Sequence, residues 1–290
     1  MCRLKSGIIL KGRVFVPEYD SHTKMLEELG ITDDYLNASK TFVRAELLPM
    51  AGDVFSSIDN WMLKVDQDVI PEWYDEDMYK PQVVEAVKEW AKDHIHIGVH
   101  GLKIATGINH YIKDCKDVQI CNSATVKYIC DSATVKNIRD SATVENICGS
   151  TTVKYICGSA TVENIYGSAT VKNICDSATV KNICDSATVE NIRDSATVEN
   201  ICDSATVKNI YGSATVENIC DSATVENIYG NATVENAKGM SVIVGSRYGW
   251  GKKETLILAE NATFKDCQTK TIYQSGDWKL VSVDEKERKA

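Results

Sequence analysis

The chain has 290 residues, of which 25% are charged, and a formal net charge of −9. That length predicts two domains, and the acidic balance argues against electrostatic binding to nucleic acid or to an anionic membrane while leaving basic protein partners open. No apolar run approaches the length of a membrane span and no secretory leader is read at the start, so the expectation is a non-secreted, non-membrane protein that needs no cofactor.

Residues 1–93 read as a small α/β domain. Two apolar stretches, 8–10 and 13–16, flank Lys11 and Gly12, which is a hairpin signal. Asp20 or Ser21 can cap a helix carrying Met25, Leu26 and Leu29, and Gly30 ends it. Residues 41–48 and 61–66 read as two more strands. Pro81 is expected to start a helix whose Val83, Val84, Val87, Trp90 and Ala91 share one face. Trp61, Trp73, Tyr74 and Trp90 are read as core or interface residues. From 94 to 120 the pattern turns strand-like and irregular, as expected of coils that cap a longer array. His94, His96 and His100 fall here at even spacing, which on a strand would put them on one face as a possible metal site, but solvated or capping histidines are the favoured reading and no metal is expected.

Residues 121–237 are thirteen consecutive copies of one nonapeptide without insertion or deletion. The copy at Cys130 reads Cys130, Asp131, Ser132, Ala133, Thr134, Val135, Lys136, Asn137, Ile138. A fixed period means that each unit repeats one backbone path and stacks on its neighbours. Nine residues can hold one strand and one turn. Positions 4 to 7 alternate small apolar, polar, apolar, charged, the period of a half-buried strand. Asp, Gly or Asn at position 2 suits a tight or left-handed turn. Asn at position 8 is expected to bend the chain so that Ile at position 9 also points inward.

The predicted fold is therefore mainly β: a parallel β-solenoid with a small N-terminal α/β domain. Coils of 18 residues are favoured, and three-sided coils of 27 are the runner-up. Two-sided coils would make the array about 30 Å long, at roughly 4.8 Å per stacked strand. Position 7 is Lys in six copies and Glu in seven, so it should face water. Position 1 is Cys in eight, Tyr in three (Tyr166, Tyr211, Tyr229) and Arg in two (Arg139, Arg193), volumes too unequal for one packed column, so it is placed at a partly exposed edge.

Eight of the eleven cysteines occupy that one position. Their stacked Cβ vectors should run parallel, which disfavours bridging, so free thiols are expected. No C-x-x-C pairing suggests a metal ladder, and none is expected. After the array, residues 238–290 read as degenerate coils and a cap. Residues 239–243 and 261–265 restate the repeat, 245–253 look like an excursion loop, 277–283 a last strand, and 284–290 a charged tail.

The Ser-Ala-Thr-Val nonamers resemble a group of uncharacterised repeat proteins from phages and mobile elements of gut bacteria. So do residues 2–7 (Cys-Arg-Leu-Lys-Ser-Gly), 44–47 (Arg-Ala-Glu-Leu) and 65–68 (Val-Asp-Gln-Asp). That resemblance implies no known activity. It implies a bacterial host cytoplasm, or a virion, as the location. The period is also similar to that of nonapeptide calcium β-rolls, but their Gly-Gly-x-Gly-x-Asp turn is absent, which speaks against ordered calcium binding.

The leading functional expectation is a non-enzymatic binding or spacer scaffold for a protein partner, such as a phage host-interaction or anti-defence protein. Its interaction surface is expected to be the Lys/Glu column and the tyrosines. In an 18-residue coil one side carries Lys127, Glu145, Glu163, Lys181, Glu199, Glu217 and Glu235. The other carries Lys136, Lys154, Lys172, Glu190, Lys208 and Glu226. An acidic side and a mixed-to-basic side could pair between two copies. The alternative is enzymatic: Cys2 after a removed Met1 resembles the start of N-terminal-nucleophile amidohydrolases, with Arg44, Asp66 and Asp68 orienting the amine or substrate. A third expectation is ice or lattice binding through the Thr column from Thr125 to Thr233.

Overall fold

A computed structural model describes residues 4–250 and 256–275. The chain divides into two compact units. One holds residues 1–99 with 107–113, the other residues 100–106 with 114–290.

The first unit is a four-stranded antiparallel sheet with helices on both faces. Its strands are β1 (Lys5–Leu10), β2 (Arg13–Phe15), β3 (Phe42–Leu48) and β4 (Met62–Val65), in the order β2-β1-β3-β4. The expected hairpin is present, with Gly12 at φ 86° in its turn. Adjacent residues of β1 serve opposite cores, as the strand period demands. Ile9 joins Val43, Ala45 and Leu47 in one core with Trp61 and with Tyr79, Val83, Val87 and Trp90 of helix α3 (Glu76–His94). Ile8 joins Phe42 in the other core with Met25 and Leu26 of helix α1 (His22–Glu28). Ser21 caps α1 by accepting from the Lys24 amide at 3.4 Å, Gly30 follows at φ 66°, and the short helix α2 (Tyr35–Ala38) comes next.

Pro81 does not start α3. The helix begins five residues earlier, where the Asp75 side chain accepts from the Asp77 amide and Glu76 and Asp77 complement the helix dipole. Those capping signals outweigh the proline, which sits within the helix one turn in. Lys5 is buried, with its ammonium 2.9 Å from Asp20 and 4.8 Å from the centre of the Trp90 ring.

The second unit is a parallel β-solenoid. Each nonamer supplies one strand, and each strand pairs with the strand two copies away. Thr143–Ile147, for example, pairs with Thr125–Cys130 and with Thr161–Ile165. Alternate copies thus build two facing sheets and the coil is 18 residues long, which settles the choice against 27. The irregular strands Lys103–Ile104 and Val118–Ile120 continue one sheet ahead of the array. Val242–Trp250 and Thr263–Asp266 continue it beyond, in the expected register of Val242 on Thr224 and Thr263 on Val242. Residues 245–250 belong to a strand and not to an excursion loop. The last strand among the described residues, Thr271–Gln274, folds back antiparallel on Thr263–Asp266. The strand expected at 277–283 and the tail at 284–290 lie outside the described residues.

The core is narrow and almost wholly apolar. Ala at position 4, Val at position 6 and Ile at position 9 are fully buried in nearly every copy. Thr151 stands in the Ala column, and its buried hydroxyl donates to the Ile129 carbonyl at 3.4 Å. The turns repeat as regularly as the strands. Position 4 donates to the carbonyl of position 1, as Ala178 does to Cys175 at 3.2 Å, and position 2 is left-handed in every copy. Only Asn, Asp and Gly adopt that conformation routinely, and only they occur there. Position 3 donates to the position-2 carbonyl one coil back, as Ser204 does to Asp185 at 2.9 Å, so the turns also stack.

Candidate functional site

Because every inward position is filled, the chemistry of the solenoid lies in its outward columns. Strand pairing aligns Thr on Thr, Val on Val, Asn on Asn and Ile on Ile, and position 7 stands outside this Cα pairing. Its carbonyl is satisfied differently. The Asn at position 8 of the next coil donates from its side chain to that carbonyl, as Asn218 does to Glu199 at 3.4 Å. The same amide reaches the Asn one coil back: Asn182 donates to Asn164 at 2.9 Å and Asn200 to Asn182 at 3.0 Å. Asn therefore does more than bend the chain. It forms an amide ladder from Asn146 to Asn236 in one sheet and from Asn173 to Asn227 in the other, where Tyr155 interrupts the column below, and this was missed in the sequence.

The 18-residue coil makes both position-7 columns real. In the acidic column, Lys127 is ion-paired with Glu145, and Lys181 lies 3.0 Å from Glu163, whose hydrogen bond raises the lysine pKa. Glu199 and Glu217 continue it upward. In the other column, Lys136, Lys154 and Lys172 follow one another at strand spacing, with Lys208 further along. Lys136 reaches Asp117 at 3.4 Å, and Lys154 lies 5.3 Å from the Tyr155 ring centre. With Thr134, Asn137 and Thr152 these lysines line an open groove of about 360 Å³.

The tyrosines at position 1 are half-buried and are not free anchors. Tyr211 and Tyr229 stack on each other at 5.0 Å and 4°. Tyr166 is hydrogen-bonded to Cys148, and burial with that bond pushes its pKa up. Cys148 also bonds to Cys130, and these bonds bring its thiol down to about 7. Position 1 is the partly exposed edge expected, half-buried in most copies and exposed at Arg139, although Cys121, Cys175 and Cys220 are buried outright. The expectation that all array thiols are free needs correction. Cys202 and Cys220 form a disulfide across one coil, their Cα atoms 4.7 Å apart. Stacking places that pair within the ordinary bridging range, and the parallel setting of the side chains does not prevent closure.

In the first unit the proposed catalytic group does not assemble among the described residues. Cys2 lies outside them. The Arg44 guanidinium is paired with Asp33, while Asp66 lies 3.7 Å from His22 and 4.0 Å from Lys64. Arg44 and Asp66 meet only through backbone, the Asp66 amide donating to the Arg44 carbonyl at 2.9 Å. Asp68 is exposed. The three histidines do not share a strand face either. His94 ends α3 and lies 2.7 Å from Glu18, and His100 belongs to the other unit, 3.1 Å from Asp117. His96 instead meets His110, with ring nitrogens 3.4 Å apart, and burial beside His110 holds its pKa down at about 4.

Comparison with protein families, curated proteins and solved structures gives no match. Among the described residues no helix is long and apolar enough to cross a membrane.

Proposed function

We propose that the chain is a non-enzymatic scaffold that binds through the outer faces of its solenoid, with a protein as its partner. What carries this reading is the contrast between the two position-7 columns. One presents Lys136, Lys154 and Lys172 beside an open, Thr-lined groove, and the other is mostly Glu. Repeated groups at a fixed rise suit an elongated or repetitive acidic surface. The nearest surface of that kind is the acidic face of a second copy, so side-by-side pairing is the first interaction expected. A role in phage–host interaction or anti-defence, in the bacterial cytoplasm or on a virion, fits a scaffold of this kind. The acidic total charge disfavours nucleic acid as the partner.

The test is sedimentation of the full chain at low and high salt, because exposed charge pairing weakens as the Debye length shortens. Salt-sensitive dimers that disappear in the Lys136→Glu/Lys154→Glu/Lys172→Glu variant support the reading. A monomer at every salt and protein concentration removes the pairing.

A further inference from the structure

The 18-residue coil brings together cysteines that are far apart in sequence. One position-1 column runs Cys121, Arg139, Cys157, Cys175, Arg193, Tyr211, Tyr229, each residue one coil above the last. The sulfurs of Cys157 and Cys175 and a carboxylate oxygen of Asp176 all lie within 4.8 Å of one another. Cys175 is buried and Cys157 half-buried. The other Asp176 contact is fixed, since its Oδ2 accepts from the Gly158 amide at 3.0 Å.

From this geometry we propose that Cys157 and Cys175 form a two-thiolate site for a soft monovalent metal ion of the Cu(I) or Ag(I) class, with Asp176 at its solvent side. A metal–thiolate bond is about 2.3 Å, so two sulfurs up to about 4.6 Å apart can share one ion in line. Thiolates select such ions by softness. A divalent ion that takes four ligands is poorly served, because the cluster supplies three donor atoms and two guanidinium groups flank it. Those same groups suit a two-coordinate site. Binding converts two thiols and one M⁺ into an M(SR)₂ unit of charge −1 and releases two protons. Arg139 acts on Cys157 from one coil below, and Arg193 on Cys175 from one coil above, both favouring the anionic sulfur. An ordinary thiol keeps its proton at neutral pH, so each sulfur gives one up on binding.

The other sulfur pairs lack this setting. Cys202 and Cys220 are already bridged. Cys130 and Cys148 sit in the second column, beside Tyr166 and with no arginine.

The experiment titrates Ag(I) into the full chain in chloride-free buffer, which needs no reductant and leaves the existing bridge closed. Native mass spectrometry and proton release are read together. The first equivalent is expected to bind with two protons released at neutral pH. It should be lost in Cys157→Ser and in Cys175→Ser, and kept in Cys130→Ser. Arg139→Gln/Arg193→Gln, which retains both thiols, should weaken it about 10-fold, as loss of a supporting outer shell does. Melting curves confirm that each variant is folded. A first equivalent that survives Cys157→Ser, that is lost in Cys130→Ser, or that releases one proton would overturn the proposal. So would a second disulfide joining Cys157 to Cys175 in the native chain.

Discussion

At position 2 of the repeat, one backbone angle decides which residues are admissible. Every copy is left-handed there, and at Asp203 the side chain does a second job by accepting the Asp185 amide one coil below at 3.1 Å. Asp203→Ala places a Cβ-bearing residue without a local acceptor in that conformation, and it is expected to cost about 1–3 kcal/mol. Asp203→Gly should cost less, since glycine removes the backbone strain. Chemical denaturation of the two variants against the parent checks the order. Asn182 is a second such residue: it donates to Asn164 and accepts from Asn200, so Asn182→Ala breaks two ladder bonds and should lose about 1–2 kcal/mol. The turn preference was legible in the sequence because it is local. The amide ladder was not, because its donor and acceptor are 18 residues apart and nothing in one nonamer says which copy lies beneath it. The same holds for the thiols. Cys148 is lowered to about 7 first by Cys130 and then, against burial, by Tyr166, and Cys175 is raised to about 11 by burial. Alkylation at pH 7.5 followed by peptide mapping should label Cys148 well before Cys175. The depressed Cys148 value also contributes stability that is complete above the unfolded thiol pKa and is lost as pH falls through about 7.

At the level of the strand and coil, register governs stability, since Val and Ile must return to the core at every pass. Removing residues 197–199 moves each later Val to the turn at position 3 and each later Ala to position 1, and drives Lys or Glu into the Ala slot, while Ile alone still faces the core in the Val slot. That variant is expected to aggregate or to melt far below the parent, whereas inserting two whole nonamers should leave the melting temperature unchanged or raised. Thermal denaturation and light scattering distinguish the two. The strands of the array were readable from their alternation, and β1 from the hairpin signal at Lys11 and Gly12. The elements misread are those in which a strong local signal competes with a longer one. Pro81 suggested a helix start, but Asp75, Glu76 and Asp77 begin the helix. Gly245 suggested a loop, but the strand continues through Trp250, paired with the coil below.

For the whole molecule, the sequence revealed the architecture far more clearly than the function. Period and alternation fix a solenoid, and two-sheet closure then places Lys136, Lys154 and Lys172 in one line and Glu145, Glu163, Glu199 and Glu217 in another. Each exposed pair contributes at most about 1 kcal/mol, so pairing between copies needs the whole column and should be steep in salt. The triple Lys→Glu variant is expected to stay folded, because these side chains point outward, and to lose any low-salt dimer. Circular dichroism alongside sedimentation separates the two effects.

The alternation of nonamers between two sheets gives the array a parity. Gain or loss of an even number of copies leaves every later residue on its original face. An odd change keeps the core intact yet transfers everything downstream, including Thr263–Asp266, to the opposite sheet. Near-identical repeats of nine codons can gain or lose copies through recombination. Such a change by a single unit would yield an equally stable rod whose charge pattern is inverted beyond the point of exchange. Natural length variants of this chain should therefore fall into two surface classes, odd and even, separable by which face of the distal coils is acidic.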